Sequence, residues 1–273
     1  ETGEGTMAVD KTFLMKSVQK KEEMIVAYCA FTNMPFVVCD SESFNDQVWI
    51  FDTEAQLQEF AKPYTEKKIL LKGIKYPNAR FLSFFTMLFT IGINELVFVG
   101  ENGKETIELD ELVRRPDFSK LPKEQQPIMN PELQLTGLYF MQEAARPIPN
   151  EEKDVADLEE ELAANLFKAR YIIPIELLEG PETDIEKLKE KKYRLPILKN
   201  KNGDVLQPLF TDPNELAKFN RENKFKALAM PFANLSKLLI KDSKGFLLNP
   251  AGFHLAMPKE LLEGLPKRFG TAE

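Results

Sequence analysis

Two stretches decide how this chain is organised: VWIFDTEAQLQEFAK, from Val48 to Lys62, and QPLFTDPNELAKFNR, from Gln207 to Arg221. Each stretch runs from a short apolar segment through a capping sequence into an amphipathic segment, which is typical of a strand followed by a helix. At one offset of 159 residues (51 to 210), three apolar positions coincide: Phe51 with Phe210, Leu57 with Leu216, and Phe60 with Phe219. These matches predict one fold unit that occurs twice.

The similarity continues on both sides of these stretches in the same order. Upstream, MPFVV at Met34 corresponds to LPILK at Leu195. Downstream, ELVFVGENGKETIELDELV at Glu95 corresponds to GFLLNPAGFHLAMPKELL at Gly245. Repetition at a fixed period indicates a repeated structural unit.

The predicted elements of each copy alternate between short strands and helices. Opening helices are predicted at Lys11–Lys20 and Glu151–Lys168, the second capped by Asn150. Short apolar runs rich in β-branched and aromatic residues predict strands, and the turns GENGK and NPAG predict a closing strand pair. We therefore predict an α+β fold of two similar modules, each a small mixed or antiparallel sheet with flanking helices.

The predicted modules divide the chain into three parts. The first module covers residues 8–117, a structured connector with a helix from Pro131 covers 118–149, and the second module covers 150–270. The charged insertion at 179–192 has no counterpart in the first copy and predicts an exposed helical arm. A length of 273 residues is consistent with about two domains.

Composition and charge argue against two classes of partner and indicate a compartment. The net charge is −7 and basic residues alternate with acidic ones, so we expect no nucleic-acid partner. The longest uncharged stretch, Phe81–Asn94, is too short to span a bilayer, so we expect no membrane partner. Cys29 and Cys39 lie in apolar runs and are predicted to be reduced, mostly buried thiols of a soluble cytoplasmic protein.

The second copy resembles the SseB-type domain. The run LPILKNKNGDVLQPLFTDPNELAKF, residues 195–219, is similar to that family's strand, turn and acidic helix, and GFLLNPAGFHLAMPKELL resembles its closing hairpin and short helix. The opening helix DLEEELAANLFKARYIIPI, residues 157–175, is also similar. The resemblance covers Glu151 to about Leu265, with a weaker match over Lys11 to about Val113, and it implies tandem domains without a particular reaction.

Residues for catalysis, metal binding or a cofactor are not indicated by any motif. The single histidine, His254, is interpreted as an exposed or edge-strand residue on the opposite strand face from Phe253 and Leu255. One histidine and two cysteines do not provide the ligand spacing of a usual zinc site. Neither a G-x-S-x-G elbow nor a phosphate-binding glycine loop is present. We therefore predict no catalytic, metal or cofactor-binding residues and no cofactor.

Two candidate binding features remain. The first is the turn formed by Asn249, Pro250 and Gly252, with a simple hairpin turn followed by a helix as the alternative. The second is a possible interface that begins on the uncharged helix FLSFFTMLF, where Leu82 and Phe89 are predicted to share an outer flank. The full set of possible interface residues is Leu82, Phe85, Phe89, Tyr139 and Phe140. The alternative for this helix is burial between the modules and the connector.

These features favour a non-enzymatic protein-binding adaptor with tandem SseB-like modules, acting on a protein partner or as a homo-oligomer. The alternative is a small-molecule-binding protein or an enzyme that uses a cleft between the two modules.

Overall fold

The computed structural model describes residues 3–101, 103–178 and 193–270, with side chains from residue 12 onward. The fold is α+β, as predicted. The chain forms two compact units, the first comprising residues 1–117 and 142–153 and the second comprising 118–141 and 154–273. The predicted arm at 179–192 lies outside the described residues.

The first unit begins with helix α1 (Gly3–Lys20) and contains one mixed sheet. Its strands are β1 (Glu23–Cys29), β2 (Met34–Pro35), β3 (Val37–Cys39), β4 (Asp46–Phe51), β5 (Leu71–Pro77), β6 (Glu95–Gly100) and β7 (Gly103–Glu108). The strands follow the order β5-β1-β4-β6-β7, with β2 paired to β1 and β3 paired to β4. Strands β4 and β6 run parallel, and the other pairs of this sheet are antiparallel.

Helices cover both faces of this sheet. Helix α2 (Glu54–Glu66) places Leu57 in an apolar cluster with Ile25 and Phe51. Helix α3 (Phe81–Thr90) lies on the opposite face, where the Phe84 ring packs on Tyr76 of β5. A short helix α4 (Leu109–Leu112) follows β7. Because side chains alternate along a strand, one face of β1 and β5 packs against α2 and the other face packs against α3.

The second unit contains helices and two small sheets joined by one bridge. Its elements are α5 (Pro131–Ala144, of which 131–141 belong here), α6 (Ala156–Lys168), β8 (Arg170–Leu177), β9 (Tyr193–Arg194), β10 (Leu198–Lys199), β11 (Val205–Leu209), α7 (Pro213–Phe219), β12 (Lys226–Pro231), β13 (Ser243–Leu248), β14 (Leu255–Pro258) and α8 (Lys259–Phe269). The strand orders are β12-β8-β9 and β10-β11-β13-β14. Ile172 of β8 and Phe210 form an antiparallel bridge between the two sheets.

The predicted caps of α2 and α7 are present. Thr53 accepts a hydrogen bond from the Gln56 N–H at 3.3 Å, and the Gln56 side chain accepts one from the Thr53 N–H at 2.9 Å, which forms a capping box. Asp212 accepts from the N–H groups of Asn214 and Glu215, with Pro213 as the first helical residue. Both helices therefore begin where the local sequence satisfies their free N–H groups.

The predicted start of the helix that opens the second module is wrong. Asn150 does not cap α6, because it begins a 3-10 turn (Asn150–Glu152) and α6 starts later, with Val155 at the cap position. The segment FANLSKL, Phe232–Leu238, is a 3-10 helix. Its two buried side chains, Phe232 and Leu235, are three residues apart, which matches the three-residue turn of that helix.

The thiols differ in their surroundings. Cys29 is buried in β1, whereas Cys39 is exposed at the end of β3, so the prediction of two buried thiols is wrong for Cys39. The two strands are also not neighbours, because β4 pairs with both of them. None of the described helices has the length and apolar content to cross a membrane.

Candidate functional site

The candidate binding turn follows β13 and is closed by two hydrogen bonds to one carbonyl oxygen. The Asn249 carbonyl oxygen accepts hydrogen bonds from the N–H groups of Gly252 at 2.9 Å and His254 at 3.0 Å. Asn249 has a φ of +48°, a conformation that Asn adopts more readily than most residues. The residue type at this position therefore follows from the backbone of the turn.

The side chain of Asn249 is fully buried and attaches the turn to the end of β11. Its Oδ1 accepts from the Thr211 N–H at 3.0 Å, and its Nδ2 donates to Thr211 Oγ1 at 2.9 Å. Its own N–H donates to the Leu209 carbonyl oxygen at 2.8 Å. Both polar atoms of this amide are thus used inside the second unit.

The network extends from Thr211 to helix α5. Gln134 Nε2 donates to Thr211 Oγ1 at 2.8 Å and to Asp212 Oδ2 at 2.7 Å, and all of these side chains are buried. The other Asp212 oxygen caps α7. One buried network therefore holds three parts of the unit: the α5 segment, the start of α7 and the turn.

Glu215 is the charged member of this region. It is 2% exposed, its Oε1 pairs with the ammonium of Lys218, and burial raises the pKa of its carboxyl group against the opposing effect of Lys218. Within the described part of the chain, Glu215 Oε2 and Gln134 Oε1 are buried without a hydrogen-bond partner. An unpaired buried carboxylate oxygen is costly, in agreement with the raised pKa of this group.

The glycine of the turn lies close to this carboxylate. A Cβ at Gly252 would lie 2.7 Å from Glu215 Oε2, closer than van der Waals contact allows. A Cβ at Gly137 of α5 would likewise lie 2.9 Å from Phe253 Cζ. The contacts of Asn249 and Gly252 thus account for their identities by packing within the unit. Ligand binding by Asn249, Pro250 and Gly252 stays a prediction.

The lone histidine lies outside the strand in which the sequence analysis placed it. His254 is exposed, has a φ of +43° and precedes β14, with its Nδ1 3.2 Å from the Gly252 carbonyl oxygen. The opposite-face interpretation is therefore wrong in detail, because His254 belongs to the turn. Its exposure agrees with the interpretation.

The predicted interface residues fall into three environments. Leu82 is 68% exposed, whereas Phe85 and Phe89 are 3% and 8% exposed. Tyr139 and Phe140 of α5 are half-buried. The Arg115 guanidinium lies over the Phe89 ring at 4.9 Å. Leu82 and Phe89 therefore do not share an exposed flank, and Leu82 is the exposed member of the predicted set.

Groups suited to catalysis or metal binding are not clustered in the described residues. No group of three or more His, Cys, Asp or Glu side chains able to hold a metal ion is found among them. Partial desolvation and the carboxylates of Asp46 and Asp40 raise the pKa of the exposed Cys39 thiol. A raised pKa lowers the thiolate fraction, which is the opposite of activation.

The comparisons with known proteins bear on the second unit. Residues 151–263 match the family model of the SseB protein N-terminal domain. No curated protein matches the chain. Among solved structures, Tic22 from Plasmodium falciparum aligns with 94% of this chain and 97% of its own, at 15% identity and a TM-score of 0.20. At that score the alignment supports no statement about fold or function.

Sequence reasoning missed the two buried partners of the turn, Gln134 and Glu215. Gln134 lies 78 residues from Asp212 along the chain, in the segment that the sequence indicates as a connector. A polar residue between the buried Leu133 and the buried Leu138 was the available signal, since a buried amide requires partners.

Proposed function

We propose that this chain is a non-enzymatic adaptor that binds other proteins through exposed apolar side chains. The observation that carries the proposal is the loop from Asp40 to Asn45, which presents Phe44 with 76% of its surface exposed and a φ of +58°. A bulky residue rarely adopts a positive φ, and the conformation is unfavourable by about 1–2 kcal/mol. Strain at an exposed apolar residue motivates a functional hypothesis.

The loop that carries Phe44 is well ordered by hydrogen bonds. Asp40 Oδ1 accepts from the N–H groups of Glu42 at 3.0 Å and Ser43 at 2.8 Å, and these bonds lower the pKa of the Asp40 carboxyl group. The Asp40 carbonyl oxygen accepts from the Phe44 N–H at 3.0 Å, and the Asp40 N–H donates to the Asn45 carbonyl oxygen at 2.9 Å. A rigid loop with an aromatic side chain at its tip resembles the preorganised anchors of protein interfaces.

We further propose that the two units are diverged copies of one SseB-like module. The strand pairs correspond one to one: β5-β1-β4-β6-β7 in the first unit and β12-β8-β11-β13-β14 in the second, with a bridge in place of the β1–β4 ladder. The parallel pairs β4–β6 and β11–β13 also correspond. The turn network does not recur, because the registers Ile50↔Phe98 and Leu209↔Leu248 place Val99 of the first unit where the second has Asn249. Experimental structures of residues 8–117 and 150–270 with different strand orders would exclude duplication.

The adaptor proposal is tested by comparing proteins that crosslink to the wild-type chain and to two variants. Phe44→Gly removes the aromatic side chain and relieves the positive φ, whereas Glu42→Gln changes an exposed side chain of the same loop and keeps Phe44. We expect specific crosslinked proteins with the wild type and Glu42→Gln, and their loss with Phe44→Gly. Equal recovery with Phe44→Gly would exclude the Phe44 loop as the binding element. Absence of any specific crosslink with the wild type would contradict the adaptor function in the native cytoplasm.

A further inference from the structure

Strand β5 is an edge strand of the first unit. Along its whole length it pairs with β1, from Leu71 opposite Cys29 to Pro77 opposite Glu23. The backbone hydrogen bonds at the two ends of this ladder show which residues of β5 bond to β1. The Ala30 N–H donates to the Leu70 carbonyl oxygen, and the Asn78 N–H donates to the Glu22 carbonyl oxygen. Residues 72, 74 and 76 therefore direct their N–H and C=O groups toward β1.

The alternate residues of β5 direct their backbone groups away from the sheet. Leu71, Gly73 and Lys75 each present one N–H and one C=O outward, at the spacing of an extended chain. Among the described residues, no strand pairs with this side of β5. The side thus offers a row of donors and acceptors suited to another strand.

A groove runs beside this edge. It has a volume of ≈340 Å³, lies between β5 and helix α2, and its apolar floor is formed by Ile25, Leu57 and Ala61. The groove exists because Gly73 has no side chain: a Cβ there would lie 2.8 Å from Leu57 Cδ2 and 2.9 Å from Ile25 Cγ2. Side chains of an added strand that point toward the α2 face would enter this space.

The charge of the edge indicates which strand fits. The eleven residues 67–77 contain four lysines, at 67, 68, 72 and 75, and no acidic residue, within a chain whose net charge is −7. Lysines on an edge oppose pairing with a second copy, because like charges directly opposite each other are destabilising. On the groove face, Lys75 is paired with Glu54 at 3.2 Å and Glu23 at 3.7 Å, so apolar side chains suit that face. On the opposite face, Lys72 attracts the acidic residues that alternate with them.

We propose that β5 binds an extended acidic peptide segment of another protein by strand addition. The segment hydrogen-bonds to the outward backbone groups of Leu71, Gly73 and Lys75. Its alternate apolar side chains occupy the groove on the α2 face, and the carboxylates between them lie on the opposite face, beside Lys72. This surface goes beyond the proposed function, because it is independent of Phe44 and specifies the conformation and charge of the bound segment.

The test uses a synthetic hexapeptide, acetyl-Glu-Val-Asp-Val-Glu-Val-amide, added to the full ¹⁵N-labelled chain. We expect chemical-shift changes and slowed amide hydrogen exchange at Leu71, Gly73 and Lys75, with a dissociation constant below about 1 mM. Lys75→Pro removes one outward N–H without removing a β1–β5 bond and is expected to weaken binding at least about tenfold. Proline is tolerated at such edge positions. The matched control, Lys75→Ala, removes the same charge but keeps the N–H and should bind more tightly than Lys75→Pro.

A peptide N-methylated at alternate residues supplies the second readout, which does not depend on how the variants fold. One of the two alternation patterns should abolish binding and the other should not, because only alternate amides of an added strand face β5. Equal binding of both N-methylated forms, equal binding by Lys75→Pro and Lys75→Ala, or no binding up to about 1 mM would overturn the proposal. These outcomes leave the crosslinking result for Phe44 unaffected, so the two proposals fail separately.

Discussion

Asn249 and Thr211 exchange two hydrogen bonds although they are 38 residues apart in the chain. The Thr211 N–H donates to Asn249 Oδ1 at 3.0 Å, and Asn249 Nδ2 donates to Thr211 Oγ1 at 2.9 Å. Since both residues are fully buried, the pair locks the turn after β13 to the start of α7.

This relationship predicts a loss of stability when the amide is removed. Asn249→Gly keeps a residue that accepts the positive φ but removes both side-chain bonds, so it isolates the hydrogen bonds from backbone strain. The buried Thr211 N–H then has no side-chain acceptor, which should lower the free energy of unfolding by about 1–3 kcal/mol. Urea denaturation is the measurement, with the exposed Asn202→Gly as control. An unchanged midpoint for Asn249→Gly would show that the network contributes little.

The carboxyl group of Glu215 predicts a pH dependence of stability. Its pKa is raised in the folded protein, so the folded state binds more protons than the unfolded state just above the unfolded pKa of about 4.3. The contribution of Glu215 is therefore most favourable at low pH and is lost as the pH rises through its folded pKa.

Glu215→Gln should remove the loss of stability with rising pH. The free energy of unfolding should then vary less between pH 4 and pH 8 than in the wild type, as measured by urea unfolding at several pH values. The exposed Glu222→Gln should leave the wild-type profile intact. A slope that persists in Glu215→Gln would assign it to other groups.

The strain at Phe44 predicts opposite effects on stability and binding. Phe44→Gly should raise the free energy of unfolding by about 0.5–1 kcal/mol, because glycine accepts a positive φ without penalty. Phe44→Ala loses the same ring but keeps the strain and should not show the gain. Thermal melts of the three proteins separate these cases, and a lower melting temperature for Phe44→Gly would mean that the ring stabilises the fold.

The two thiols should react at very different rates. Cys39 is exposed and should be modified by a bulky disulfide reagent in the native protein, slowly at neutral pH because its pKa is raised. Cys29 is fully buried and should react only after unfolding. Counting modified thiols by mass spectrometry, with Cys39→Ser as control, checks this. Rapid native modification of Cys39→Ser would show that β1 opens readily.

Substitutions on the buried side and on the exposed side of helix α3 should have different effects on stability. Phe85→Ala should lower the free energy of unfolding by about 3–5 kcal/mol, since it opens a cavity at a buried ring. Leu82→Lys should leave the melting temperature unchanged, because Leu82 is exposed. If Leu82 contacts another copy, light scattering should show a smaller mass for Leu82→Lys. An equal mass would place Leu82 outside any homo-oligomer contact.

The local features of this chain could be predicted from sequence because their causes are local. Thr53 and Asp212 begin their helices through hydrogen bonds to residues two or three positions away, and Pro131 begins α5. Such short-range bonds depend on residue type and spacing, which the sequence displays directly.

The tertiary structure decided which side chains meet and which stay exposed. Gln134 reaches Asp212 across 78 residues, and Cys39 is exposed although its run is as apolar as that of Cys29. Helical periodicity placed Leu82 and Phe89 on one flank, yet only Leu82 is exposed. The sequence alone determined the α+β class and the caps of α2 and α7, since these depend on local pattern. The buried network, the exposed Phe44 and the free edge of β5 depend on contacts between distant segments, which only the folded chain brings together.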